Sequence, residues 1–248
     1  MIKLFSQKNL PQLSKIKLAD LATKAEGSQE FFNSFPWAKD LMVFYREDQC
    51  QQEIYYCPQH LLMALAVQGQ RPLFIDLQKQ IESFRQQGPH PFTKVFDRQQ
   101  LVVDLTAGFL ADTAKLLAMG FQVRCYERFL PLILLIEQAR RLAANPNLSF
   151  CPGEWKVAEL MDGQLYYDPM YQQYSQKSAS KGPMTWLRDQ LSESDSPEKI
   201  IESLYACKKN FRLLVKSWRQ AKALVPERLK HRYQGKSTCY DLYLICQS

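Results

Sequence analysis

Three acids in this chain each close an apolar run, and each is followed by residues that could grip a flat ligand. Asp104 is followed by Leu105-Thr106-Ala107-Gly108-Phe109-Leu110-Ala111-Asp112. A glycine at a strand-to-helix turn lets the backbone approach a ligand, and the helix N-terminus adds unpaired N–H groups. This places Asp104, Thr106, Ala107, Gly108 and Asp112 in a ligand-binding turn. Glu127, 23 residues beyond Asp104, ends the next apolar run beside Arg128. At that spacing a carboxylate can accept both hydroxyls of a ribose. The third acid opens Asp168-Pro169-Met170-Tyr171. Asp168 can accept hydrogen bonds from an amine and aim its lone pair. Pro169 stiffens the turn, and Tyr171 can stack on a base for about 1–3 kcal/mol. Catalysis there would be mainly positioning. Taken singly, each feature also reads as a tight turn, a strand-end acid or a surface Asp-Pro turn. Together they favour a nucleoside site.

The elements that must position these acids alternate in type. Short apolar runs at residues 101–105, 121–126, 148–151, 164–167, 211–215 and 239–246 read as strands. Helical spacing covers 112–119, stopped by Gly120, and 131–144, opened by Pro131. Ser196 and Pro197 start a further helix running to about residue 208. Alternation of this kind predicts an α/β fold with a mostly parallel sheet covered on both faces. Ligands bind such sheets beyond the carboxyl ends of the strands. Before residue 80 the pattern is harder to read. Residues 41–45 and 53–56 are expected as strands, 61–67 and 77–84 as helices, and 86–91 as a turn or linker.

Composition narrows the function classes. The chain has 248 residues, 46% of them hydrophobic, enough for one or two cores. Net charge is +7, and residues 208–236 hold ten Lys or Arg against a single acid, Glu227. Such a stretch suits a polyphosphate partner, although a solvated basic helix face would look the same. Seven cysteines with no CxxC pair and three scattered histidines predict reduced thiols and no metal site. The longest apolar run, 129–136, is about half a membrane span. No signal segment is apparent, so a soluble, cytoplasmic protein is expected.

The segments 104–108, 126–128 and 168–171 resemble the successive cofactor and catalytic motifs of class I methyltransferases that use S-adenosylmethionine (SAM). The chain is most similar to the bacterial 16S ribosomal RNA guanine-N2 methyltransferases, the RsmJ family. The likeness covers about residues 70–246 and extends to Gln176-Lys177-Ser178-Ala179, Val215-Lys216 and Tyr240-Asp241-Leu242-Tyr243. It implies a Rossmann-like seven-stranded sheet over residues 81–248 and a small N-terminal α/β domain over 1–80. It implies SAM at Asp104, Thr106, Ala107, Gly108, Asp112, Glu127 and Arg128, with Asp168, Pro169 and Tyr171 as the catalytic group. Lys177, Ser178 and Lys216 would meet ribosomal RNA or the small ribosomal subunit. Where the family pattern has a second glycine, this chain has Leu110. A left-handed backbone there would cost leucine about 1–2 kcal/mol and could crowd the methionine end of SAM. The alternative reading is a catalytically silent RNA- or ribosome-binding relative. A nicotinamide-dependent oxidoreductase fits poorly, since no Gly-x-Gly-x-x-Gly occurs.

Overall fold

The computed structural model describes residues 14–17, 42–45, 52–57, 62–67, 75–85, 88, 90–169 and 196–246. Near the N-terminus lie two separate antiparallel pairs. β1 (Ser14–Lys17) pairs with β2 (Met42–Tyr45), and β3 (Gln52–Cys57) with β4 (Leu62–Val67). Residues 61–67 are expected as a helix from sequence; the structure corrects this to strand β4. Leu-Met-Ala-Leu-Ala-Val is a short apolar run without a clear period, and pairing with β3 along its whole length decides the outcome.

The main unit is a seven-stranded sheet. Its strands are β5 (Val102–Asp104), β6 (Val123–Glu127), β7 (Leu148–Pro152), β8 (Gly163–Tyr167), β9 (Phe211–Trp218), β10 (Leu229–Gln234) and β11 (Thr238–Ile245). They lie in the order β10-β11-β9-β8-β5-β6-β7. β7, β6, β5, β8 and β9 run parallel; β11 is antiparallel to both β9 and β10. The strand order reverses at β5, which sits between β6 and β8, so the crevice lies beyond the ends of these three strands.

Helices cover both faces, as the alternation predicts. α1 (Leu77–Phe84), α2 (Pro91–Val95), α3 (Ala111–Ala118) and α4 (Leu130–Ala143) pack on one side. Their buried faces, including Ile81, Phe92, Leu116 and Ile136, join Val102, Cys125 and Tyr166 in one core. α5 (Pro197–Ala206) covers the other side, where Ile201 and Leu204 meet Leu165, Leu213 and Tyr243. Leu165, Tyr166 and Tyr167 of β8 alternate between the two cores, so this part of the strand is buried on both faces. The expected cap of α5 is present: the Ser196 hydroxyl accepts from Lys199 N at 3.3 Å. Among the residues whose burial is described, Ile75, Leu77 and Ile81 join this core, so α1 belongs to the unit.

β10 has no counterpart in the sequence expectations. Leu-Lys-His-Arg-Tyr-Gln carries three basic or imidazole side chains and little alternation. It is one of the sheet's two edge strands, where charge deters further pairing.

Candidate functional site

The turn after β5 is the hub that joins three strand ends. Asp104, almost wholly buried, accepts from Thr106 N at 3.0 Å through Oδ1. Its Oδ2 accepts from the Thr113 hydroxyl at 2.5 Å, which ties the strand to the first turn of α3. Leu105 N donates to Tyr166 O of β8 and Ala107 N to Tyr126 O of β6, both at 2.9 Å. The Thr106 hydroxyl accepts from Asp168 N at 2.9 Å. Thus the turn, the end of β6 and the Asp-Pro segment after β8 meet at one edge.

Glu127 faces that turn. Its Oε2 accepts from Gly108 N at 2.9 Å and its Oε1 from Phe129 N at 2.8 Å. Burial raises its pKa, and the backbone N–H bonds work against that rise. The Arg128 backbone bonds it too, and with about four acceptor positions a carboxylate so bound keeps capacity for a hydroxyl. Glu127 shares its side of β6 with Cys125 and Val123, the side covered by α3 and α4. Asp168 contacts a lysine that is itself bound to Asp112 of α3, so it lies on the same side. Both acids therefore open onto one face.

Leu110 adopts the left-handed conformation its position demands, with φ 61° and ψ 13°; Gly108 has φ 53°. The leucine side chain is completely buried and belongs to the core beneath the turn. Burying it contributes about 1.5–3 kcal/mol, enough to offset a left-handed cost of about 1–2 kcal/mol. The side chain is therefore core, and the N-cap position gives no side-chain oxygen to the N–H groups of α3. Those groups suit an anionic ligand end. Gln80 of α1 supports the turn from outside, donating to Phe109 O at 3.2 Å.

Asp112 and Lys216 are bound to each other. Lys216 Nζ lies 2.6 Å from Asp112 Oδ2 and 2.8 Å from Asp168 Oδ2. Tyr166 donates its hydroxyl to Asp112 Oδ2 at 2.8 Å, and Lys115 lies 3.6 Å from Oδ1. Burial opposes ionisation of Asp112, but Lys216 and Lys115 outweigh it and its pKa falls. The Arg128 side chain points to Glu154 at 3.3 Å, while its neighbour Glu127 serves the turn. Pro169 is buried behind Asp168. Tyr171, Lys177 and Ser178 lie outside the described residues. Thr113, Gln80 and Tyr166, which complete the site, carry no local sequence signal.

The basic stretch 208–236 is mostly exposed, yet several of its cations are also tied to the domain. Lys209 bonds the carbonyls of Val157, Ala158 and Leu160, and Arg212 that of Val95. Arg232 forms a two-point pair with Asp241, Arg228 lies over the Tyr205 ring, and Arg219 reaches Lys236 O. Lys208, Arg212, Arg219, Lys222, Arg228, Lys230 and Lys236 are exposed, whereas Lys209, Lys216 and Arg232 are half-buried. Among the described residues no helix is long and apolar enough to cross a membrane, and no cluster of three His, Cys, Asp or Glu could hold a metal.

Comparison with known proteins adds three findings. A family model described as putative SAM-dependent methyltransferase matches residues 38–245. The chain is 29% identical over 159 residues to ribosomal RNA small subunit methyltransferase J of Neisseria meningitidis serogroup C, covering 58% of this chain and 63% of that protein. Its namesake in Bdellovibrio bacteriovorus is 26% identical over 155 residues, covering 58% and 60%. The matched region thus spans less than two thirds of these relatives. A crystal structure of a SAM-dependent methyltransferase from Neisseria gonorrhoeae superposes with a TM-score of 0.60 at 21% identity, covering 90% of this chain and 93% of that one, which shows a shared fold.

Proposed function

The chain belongs to the SAM-dependent methyltransferase family, and from that premise we propose that it methylates the exocyclic N2 amine of a guanine in small-subunit ribosomal RNA. When bound, SAM supplies a methyl group activated by a sulfonium. Gly108, the free N–H groups of α3 and the remaining acceptor capacity of Glu127 suit its amino-acid and ribose parts. Asp168 receives the amine N–H and turns the nitrogen lone pair toward the methyl; Pro169 holds the turn in shape. Tyr171 stacks on the base, and Lys177 and Ser178 meet the RNA. Relatives named for small-subunit ribosomal RNA methylation support the acceptor class, and a cytoplasmic location follows from it. The two antiparallel pairs before residue 75 form the small N-terminal unit in this reading.

One observation carries the proposal: Thr106 of the cofactor turn bonds the main chain of Asp168 at 2.9 Å. Donor and acceptor sides are therefore fixed to each other, as transfer by positioning requires. The burial of Leu110 favours the active reading over a silent one, because the leucine side chain stays out of the crevice. The test is incubation of the full chain with methyl-labelled SAM and either 16S ribosomal RNA or small subunits, followed by nucleoside mass spectrometry. N2-methylguanosine in the product supports the proposal. Absence of label in both substrates contradicts it.

A further inference from the structure

We propose that Lys216 is a positioning residue that fixes the Asp168 carboxylate as an ionised hydrogen-bond acceptor, with Asp112 in turn fixing Lys216. The inference rests on the reading of Asp168 as the group that receives the acceptor amine. It replaces an RNA-phosphate role for this lysine.

The geometry is that of a closed relay. Lys216 stands near the carboxyl end of β9, between buried Val215 and buried Ser217, in register with Tyr240 of β11. Its ammonium touches both carboxylates through their Oδ2 atoms, at 2.6 Å and 2.8 Å. Its side chain is 24% exposed, and those of Asp112 and Asp168 are 12% and 21% exposed. Asp112 is in turn held by the Tyr166 hydroxyl. Tyr166 is fully buried and stacks edge-on against Phe92, so this end of the relay is set in the core. Burial alone would lower the lysine pKa, but the Asp168 and Asp112 carboxylates more than reverse this and raise it.

Three consequences follow from elementary electrostatics. First, an ammonium between two carboxylates has little to gain from a phosphate, since it would surrender two charge-assisted bonds in a partly dry site. Second, the lysine keeps Asp168 ionised. A protonated carboxyl would offer the amine a donor, whereas the ionised one offers only acceptors. Asp168 is thereby an orienting acceptor and a weak proton sink. Third, Asp168 is anchored twice, by its N–H on Thr106 and by its carboxylate on Lys216, so neither its backbone nor its rotamer is left loose. Positioning of this kind affects the chemical step: a misplacement of roughly 1 Å costs about 100-fold.

The test uses the full chain with Lys216→Met, which keeps the length and removes the charge, and Lys216→Arg, which restores it. Steady-state methylation should show kcat falling by about 10- to 100-fold in Lys216→Met with KM for RNA and Kd for SAM within about threefold. Lys216→Arg should recover most of the kcat. A rise in KM for RNA with kcat intact would overturn the proposal in favour of a phosphate contact, and so would full activity in Lys216→Met. A melting-temperature cycle over Lys216→Met, Asp168→Asn and the double variant checks the pair without any turnover. Non-additive shifts support the relay; additive shifts overturn it. Were the wild type inactive on RNA while the cycle stayed non-additive, the substrate assignment would fail and the relay would stand.

Discussion

The two ends of the same strands use polar side chains in opposite ways. At the amino ends of β8 and β9, polar groups serve the main chain. Gln164 accepts from Asp97 N at 2.5 Å and donates to Asp97 O at 2.9 Å and Gln100 O at 3.4 Å. Arg212 donates to Val95 O, and Lys209 gathers three carbonyls. At the carboxyl ends, four carboxylates, Asp104, Asp112, Glu127 and Asp168, collect around one turn and one shared lysine. Massing buried acids costs stability through desolvation and repulsion, which a scaffold has no reason to bear. The amino end holds loops, and the massed acids of the carboxyl end mark it as the proposed ligand site.

The sharpest break between the ends is in turnover. Asp168→Ala should lower kcat by about 10³-fold, on the scale of losing a group aimed at the transition state, while SAM affinity stays within a few-fold. Retained activity would remove Asp168 from the mechanism. A second contrast is in pH dependence. Burial lifts the Asp104 carboxyl from 3.8 to about 7, against the pull of Thr113 and Thr106. The folded chain then binds this proton more tightly than the unfolded one. The stabilisation is complete below pH 4 and lost as pH rises through 7. Relative to Asp104→Asn, the wild type should therefore lose on the order of 2–4 kcal/mol between pH 4 and 8 in urea unfolding. A pH-independent difference would contradict that placement.

Gln164→Leu at the amino end should cost about 1–3 kcal/mol of stability, since it strands main-chain groups, yet leave kcat per folded molecule unchanged. A loss of turnover would blur the division between the ends. Leu110→Gly should have the smallest effect. It relieves the left-handed strain but opens a cavity, for a net loss of about 1–2 kcal/mol by thermal unfolding. SAM affinity should not change; a tenfold gain would mean that the leucine intrudes on the ligand.

The parallel sheet from residue 101 onward was legible because each strand is a short apolar run bounded by turn residues, and each helix has a stop or a cap. The three acids were legible for the same reason, each ending such a run. β4 was misread because helix-forming residues in a six-residue apolar strand carry no period. β10 was missed because an edge strand with Lys230, His231 and Arg232 looks like loop. The basic stretch counts as one patch in sequence; in the fold most of its cations stay exposed, while contacts more than a hundred residues apart, such as Arg212 with Val95, tie some of them to the domain. The bond from Lys216 to Asp112 spans a similar distance and leaves no local mark.

Calorimetric titration of SAM into the full chain bears most directly on the carboxyl edge as a cofactor pocket. The wild type should bind at a single site, Gln164→Leu should match it, and Glu127→Ala should bind about 10- to 100-fold more weakly, the loss expected for bonds to a charged acceptor. No binding by the wild type at millimolar SAM, or equal affinity in Glu127→Ala, would place the cofactor elsewhere.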